Sequence, residues 1–168
     1  MRLSALARYP ATVARVAEIL ADPAFVEYWL GSGTRPIPQV RVSGEAAGAF
    51  TVAVRSQVAL AELPANLRNL LPGDLDIRQV IAWEKPDSQG NRQGTVAVDI
   101  FGAPVKLEGI VGLTKREAGQ CEQRYVVELQ ATVPLFGGRI EQAAAGLVRH
   151  LLDDERNAML NALASTNP

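Results

Sequence analysis

Several residue types that often carry enzyme chemistry are scarce in this chain of 168 residues. Cys121 is the only cysteine, which excludes an intramolecular disulfide and a cluster of metal-bound thiolates. His150 is the only histidine, and no group of residues shows the spacing of metal ligands, so we expect no metal site. The basic residues are mostly arginine, and they nearly balance the acidic residues, for a net charge of −1. Without a strongly basic region, nucleic-acid binding is not expected.

Long apolar runs are also missing. A membrane-spanning helix needs about 18 or more consecutive apolar residues, and the apolar run at the N-terminus is too short for a signal peptide. We therefore expect a cytoplasmic protein that is not integral to a membrane. The hydrophobic share of 48% and the charged share of 21% are ordinary for globular proteins. The length fits a single domain, residues 1–168, with a sizeable core.

The middle of the chain alternates between apolar and polar residues from Val40 to Val133. This period of two predicts about six antiparallel strands there, and residues 2–9 predict a further strand at the start. Such patterning is typical of a sheet with one covered face and one solvated face. The leucine-rich segment 60–74 interrupts the pattern and predicts a partly helical flap.

Helical spacing appears at both ends of the chain. Two short helices are predicted after the first strand, the second over Ala24–Leu30, with Gly31-Ser32-Gly33 ending it. A long helix is predicted from about Gly138 to Leu163. Its apolar stripe comprises Ile140, Ala144, Leu147, Leu151, Leu152, Met159 and Leu163.

The segment Val133–Glu141 joins the last strand to this long helix, and it contains Gly137 and Gly138. Since glycine tolerates backbone conformations that other residues resist, we expect these two residues to carry a sharp reversal of the chain. The helix must then lie back across the sheet to cover its apolar stripe. The resulting fold class is α+β, with a curved antiparallel sheet of six to seven strands around a C-terminal helix.

This order of elements resembles the helix-grip fold of the START-like (SRPBCC) superfamily. That superfamily includes birch-pollen-allergen-like proteins, polyketide cyclases and coenzyme Q-binding proteins, and the chain is most similar to an uncharacterised bacterial family of about this length. The segments Met1–Ser4, Tyr9–Ala11, Asp22–Phe25, Gly102–Val105 and Val133–Glu141 carry the resemblance. It implies binding of an apolar or amphipathic small molecule, sometimes with added chemistry, and it supplies no catalytic residues.

Strand parity and the helix stripe identify the side chains expected to face a cavity. The candidates are Val52, Val54, Ile77, Gln79, Ile81, Val96, Val98, Leu107, Val111, Tyr125, Val127, Leu147 and Leu151. Gln79 and the Tyr125 hydroxyl are candidate polar contacts for a ligand. The cavity mouth is expected at Phe25, Tyr28, Trp29, Leu67 and Leu70. The same side chains could instead fill a core, in which case the two polar groups would satisfy other protein atoms.

The leading hypothesis is binding or carriage of a hydrophobic small molecule, such as a lipid, isoprenoid or polyketide-like compound, without a cofactor. A cyclase- or hydrolase-type enzyme would need an ionisable side chain on the inner face. The strand carboxylates, including Asp99 and Glu108, fall on the outer parity, so the sequence predicts no catalytic residue. His150 and Cys121 are interpreted as packing or surface residues. A third hypothesis is a protein-interaction scaffold or homodimer with a filled core.

Overall fold

An antiparallel sheet of seven strands forms the centre of the protein. The computed structural model describes residues 1–31 and 36–165. The strands are β1 (Arg2–Tyr9), β2 (Gln39–Gly44), β3 (Phe50–Val58), β4 (Leu75–Trp83), β5 (Arg92–Phe101), β6 (Val105–Lys115) and β7 (Cys121–Ala131). They lie in the order β1-β7-β6-β5-β4-β3-β2, and all neighbours are antiparallel. The predicted number and type of strands are confirmed.

Two short helices follow β1, as predicted. They are α1 (Val13–Leu20) and α2 (Pro23–Gly31). The Thr12 hydroxyl accepts a hydrogen bond from the Arg15 amide at 3.2 Å and caps α1, while the Asp22 carboxylate accepts one from the Ala24 amide at 2.9 Å before α2. Ser32 and Gly33, expected to help end α2, lie outside the described residues.

The long helix α4 (Gly137–Ser165) packs against β7 and β1 and completes a helix-grip fold. The chain forms it because apolar residues recur along one face, which the sheet then covers. Its buried residues are Ile140, Ala145, Glu155, Ala158, Met159 and Leu163. The predicted helix is confirmed and is slightly longer at both ends.

The turn between β7 and α4 differs from the sequence prediction. Gly137 and Gly138 do not carry the reversal: they are the first residues of α4. The left-handed backbone lies instead at Leu135, with φ of 68°, and the side chain of this residue is 98% exposed. A Cβ on Gly137 would lie 3.0 Å from the Ala131 carbonyl oxygen, so close packing gives a reason for a glycine there.

The flap, residues 60–74, forms a small core of its own. It contains a 3₁₀ turn (Leu60–Glu62) and the short helix α3 (Ala65–Arg68). The buried residues of this core are Val58, Leu63, Leu67, Leu71 and Leu75. Ala143 of α4 packs against them, so the flap closes one end of the sheet.

Charged side chains hold β1 against β7 on the outer face. The buried carboxylate of Glu122 pairs with Arg8 at 3.4 Å, with Arg116 at 2.8 Å and with Arg124 at 3.4 Å. The hydrogen bond from Arg116 is the largest cause that holds the pKa of this carboxyl below its ordinary value. The neighbouring residue Gln123 points to the opposite face, towards α4.

Candidate functional site

A cavity of about 130 Å³ lies between the concave face of the sheet and α4. Strands β4 to β7 supply one wall, α4 supplies the other, and Trp29 of α2 contributes at one side. The lining residues are Trp29, Ile77, Gln79, Ile81, Val96, Val98, Ile100, Leu107, Tyr125, Val127, Leu129, Ala144, Leu147, Val148, Leu151, Leu152 and Glu155. Almost all of these side chains are apolar, as alternation along the strands requires for a covered face.

Most of the residues predicted to line a cavity do so. They are Ile77, Gln79, Ile81, Val96, Val98, Leu107, Tyr125, Val127, Leu147 and Leu151. Val52, Val54 and Val111 face the same side of the sheet but are buried in the core outside this lining. Helix α2 packs against β2, which pairs with the strand of the first two, and α1 packs against β6, the strand of the third. Alternation predicts the face of a residue, but not which helix covers it.

The predicted mouth is largely absent from the cavity. Trp29 lines it, whereas Phe25 is buried in the core and Tyr28 is 62% exposed. Leu67 lies in the small core of the flap, and Leu70 packs, half-buried, against the main core. The small core of the flap packs against Ile77 and Ile100, which line the cavity, but the leucines of the flap are not part of the lining themselves.

Glu155 is the site residue that the sequence analysis missed. Its side chain is buried, and Tyr125 Oη lies 3.1 Å from its Oε1 and 3.0 Å from its Oε2. The inner face therefore does hold an ionisable group, contrary to the prediction from strand parity, because the group comes from the helix. Glu155 stands four residues after Leu151 and four before Met159, so its place in the apolar stripe was the signal available.

Gln123 and Tyr9 complete a buried polar network with this pair. The Gln123 amide nitrogen donates to Tyr125 Oη at 3.1 Å and to Glu155 Oε1 at 3.3 Å. The Tyr9 hydroxyl donates to the Gln123 amide oxygen at 2.8 Å. Three elements, β1, β7 and α4, thus meet through side-chain hydrogen bonds at one end of the cavity. Every buried side-chain nitrogen and oxygen among the described residues has a partner.

Burial dominates the ionisation of these groups. It raises the pKa of Glu155 to about 7, even though the hydrogen bonds from Tyr125 and Gln123 act in the opposite direction. Burial, followed by the charge of Glu155, raises the pKa of Tyr125 well above its ordinary value, and the same two causes raise that of Tyr9. Near neutral pH, Glu155 therefore exchanges a proton while both tyrosines stay neutral.

A polar cleft of about 230 Å³ lies on the other side of the Tyr125–Glu155 pair. Residues of β1 form one wall of the cleft, and Arg149, Asp153 and Arg156 of α4 form part of the other. Tyr125, Leu152 and Glu155 line both spaces. The carboxyl group thus stands in a wall between an apolar cavity and a cleft that contains charged side chains.

Cys121 and His150 lie away from this arrangement. Cys121 is fully buried, and burial raises the pKa of its thiol to about 11, which keeps it protonated and unreactive. The His150 side chain is 73% exposed, with its Nε2 atom 3.6 Å from the Asp154 carboxylate, and it does not line the cavity. Within residues 1–31 and 36–165, no cluster of side chains could hold a metal ion, and no helix is long and apolar enough to cross a membrane.

Solved structures of similar fold span nearly the whole chain. Zhui aromatase/cyclase from Streptomyces sp. R1128 superposes with a TM-score of 0.58 at 13% identity, over 96% of this chain and 92% of that one. Norcoclaurine synthase from Thalictrum flavum, in complex with dopamine and hydroxybenzaldehyde, superposes with a TM-score of 0.57 at 9% identity, over 100% of this chain and 88% of that one. Human STARD10 superposes with a TM-score of 0.59 at 9% identity, over 95% of this chain and 63% of that one. Identities this low show the fold alone, and they confirm the predicted helix-grip fold.

Comparison by sequence identifies a family. No curated protein sequence matches the chain. Residues 4–163 match the model of a family described as a protein of unknown function (DUF2505). That match runs from β1 to the last turns of α4 and includes the polar network and the cavity. On this evidence the chain belongs to the DUF2505 family.

Proposed function

We propose that this protein binds a hydrophobic small molecule, or the apolar part of an amphipathic one, in the cavity between the sheet and α4. The observation that carries the proposal is an apolar cavity of about 130 Å³ with a polar group at one end. An engineered apolar cavity of about 150 Å³ binds benzene. The volume therefore suits a single ring or the end of a longer chain, such as part of a lipid, isoprenoid or polyketide-like compound.

The driving force is burial of apolar surface, at about 25 cal/mol for each Å² removed from water. Orientation would come from polar atoms on the lining. Gln79 lies on β4, and the Tyr125–Glu155 pair joins β7 to α4 on the lining of the same cavity. Such a combination of an apolar wall and few polar contacts is common in small-molecule sites.

A cyclase- or hydrolase-type enzyme is the second candidate. Glu155 supports this second candidate, because a buried carboxyl with a pKa of about 7 can give or take a proton at neutral pH. The likeness to an aromatase/cyclase and to norcoclaurine synthase also supports it at the level of fold. A scaffold with a filled core is the third candidate, and the open cavity argues against it.

Binding is tested with toluene as a probe, followed by NMR of the ¹⁵N-labelled protein. Ala144 lines the cavity, so Ala144→Leu places additional atoms inside it. Gln142 is exposed on the same helix, and Gln142→Leu adds a similar side chain outside the cavity. We expect toluene to shift amide signals along β4 to β7 in the wild type and in Gln142→Leu, and to bind at least about tenfold more weakly to Ala144→Leu, a loss of about 1.4 kcal/mol. Equal binding to all three proteins would place the probe elsewhere and refute the proposal.

Composition and length support the proposed domain organisation and location. We treat residues 1–168 as one START-like domain, located in the cytoplasm, that carries its ligand without a cofactor and without contact to nucleic acid. Homodimer formation is measured directly by size-exclusion chromatography with light scattering.

A further inference from the structure

The polar network at the end of the cavity uses every hydrogen-bond donor that its described side chains possess when Glu155 is charged. The Tyr9 hydroxyl donates to Gln123, and both hydrogens of the Gln123 amide are directed at Tyr125 and Glu155. The Tyr125 hydroxyl has a single hydrogen, and the carboxylate of Glu155 accepts it. In this state the network offers a ligand no donor.

Adding one proton to Glu155 changes this count. Oε2 lies 3.0 Å from Tyr125 Oη, so the carboxylic acid can donate to the tyrosine oxygen in place of receiving its hydrogen. Either the Tyr125 hydroxyl or the Glu155 hydroxyl then has a hydrogen to give elsewhere. Since both residues line the cavity, a ligand inside it is within the reach of that donor.

Building on the binding function proposed above, we infer that the cavity selects a neutral ligand whose oxygen atom accepts a hydrogen bond, such as a ketone or an ester, and that this ligand binds the protonated form of the Tyr125–Glu155 pair. The apolar part of the ligand lies among the side chains of β4 to β7. Its oxygen faces the pair, where a carboxylate would repel it and a carboxylic acid or a phenol hydroxyl donates to it.

The surroundings of the pair support a neutral carboxyl in the liganded state. From the sheet, Tyr9 and Tyr125 face the Glu155 carboxyl, and burial raises the pKa of both hydroxyls, so both are neutral. On α4, the charged side chains of Arg149, Asp153 and Arg156 lie on the side of the cleft. A ligand over the cavity side removes water that would otherwise hydrate the carboxylate, which favours protonation further.

The polar cleft gives the proton a route to solvent. Glu155 lines this cleft as well as the cavity, so a proton can reach it from the cleft while a ligand fills the cavity. Because burial raises the pKa of Glu155 to about 7 in the unliganded protein, ligand binding near neutral pH would be accompanied by uptake of a proton.

The test uses two probes of nearly the same shape, 4′-fluoroacetophenone and 4-fluoro-α-methylstyrene, followed by ¹⁹F NMR. They differ in one group: the ketone has an oxygen where the hydrocarbon has a methylene. For a site that binds only when its acid is protonated at a pKa of about 7, the dissociation constant rises about tenfold between pH 6 and pH 8. We expect this rise for the ketone and a much smaller one for the hydrocarbon, so the ratio of the two affinities changes with pH.

Glu155→Gln is the matched variant, since its amide has nearly the same shape and donates hydrogen bonds at every pH. We expect this variant to bind the ketone equally at pH 6 and pH 8. A ratio of affinities that stays constant with pH in the wild type, or a pH dependence that persists in Glu155→Gln, would overturn the inference while leaving the binding proposal intact. If neither probe binds the wild type at either pH, both the binding proposal and this inference fail.

Discussion

At the scale of single residues, Glu155 occupies a position in the apolar stripe of α4, and burial of its charged form lowers the stability of the folded protein. Its pKa rises from the ordinary 4.5 to about 7 in the folded protein. Between these values the folded state binds more protons than the unfolded state, so stability falls as the pH rises. This loss of stability is fully present above pH 7, and it is absent well below pH 4.5, the pKa of Glu155 in the unfolded chain.

This shift gives a prediction for Glu155→Gln, which cannot ionise. Relative to the variant, the wild type should lose about 3 kcal/mol of unfolding free energy between pH 4.5 and pH 7, and little more above that range. Urea denaturation of both proteins at several pH values measures the difference. Parallel curves for the two proteins across this range would show that Glu155 does not titrate as described.

Glu155 also shows where prediction from the residues stops. The strand carboxylates Asp99 and Glu108 were expected on the outer face, and both are exposed there. The parity of a strand decides this, because successive side chains point to opposite faces. The helix stripe could have revealed Glu155 by its spacing, but its partners Tyr125 and Gln123 are some 30 residues away and meet it only in the folded chain.

At the scale of elements, the connection from β7 to α4 holds Leu135 in the left-handed backbone region. For a residue with a Cβ this conformation costs about 1–2 kcal/mol, and the side chain of Leu135 is 98% exposed, so little packing offsets the cost. Glycine avoids it, at some cost in the entropy of the unfolded chain.

We therefore predict that Leu135→Gly stabilises the protein by about 0.5–1 kcal/mol in thermal or chemical denaturation. Leu135→Ala keeps the Cβ and serves as the control, with a change close to zero. A destabilised glycine variant would mean that Leu135 makes contacts absent from this structure.

The backbone of β7 approaches β6 most closely at Gly109 among the glycines of that strand. A Cβ at this position would lie 2.3 Å from the carbonyl oxygen of Val126 and 2.6 Å from Cα of Val127. Both are backbone atoms, so the strands would have to separate. At Gly112 on the same strand, the nearest atom would be 3.7 Å away, which is an ordinary contact.

Gly109→Ala should accordingly destabilise the protein by about 2 kcal/mol or more, whereas Gly112→Ala should cost much less. The denaturation midpoints of the two variants in guanidinium chloride, each compared with that of the wild type, measure the difference. Alternation along β6 places Gly109 on the covered face, with Leu107 and Val111, and Gly112 on the other face, but it does not reveal how closely the backbone of β7 approaches Gly109. Similar effects of the two substitutions would argue against the close approach of β7 at Gly109.

At the scale of the whole molecule, the order of strands and helices was predictable because each element has its own periodicity and turn residues. The existence of the cavity was not decided by those patterns. The same alternation describes a filled core and a hollow one, and the difference depends on the summed volumes of side chains in three dimensions. In the folded chain, α4 and the strands β4 to β7 leave a cavity of about 130 Å³ between them.

The most direct test of the account is native mass spectrometry of the protein purified from its own host, beside the same protein under denaturing conditions. We predict a bound molecule of small mass on the wild type, released on denaturation and absent from Ala144→Leu, whose added side chain occupies the cavity. Unliganded masses for both proteins, or an equal amount of bound molecule on both, would contradict the claim that this cavity is a binding site.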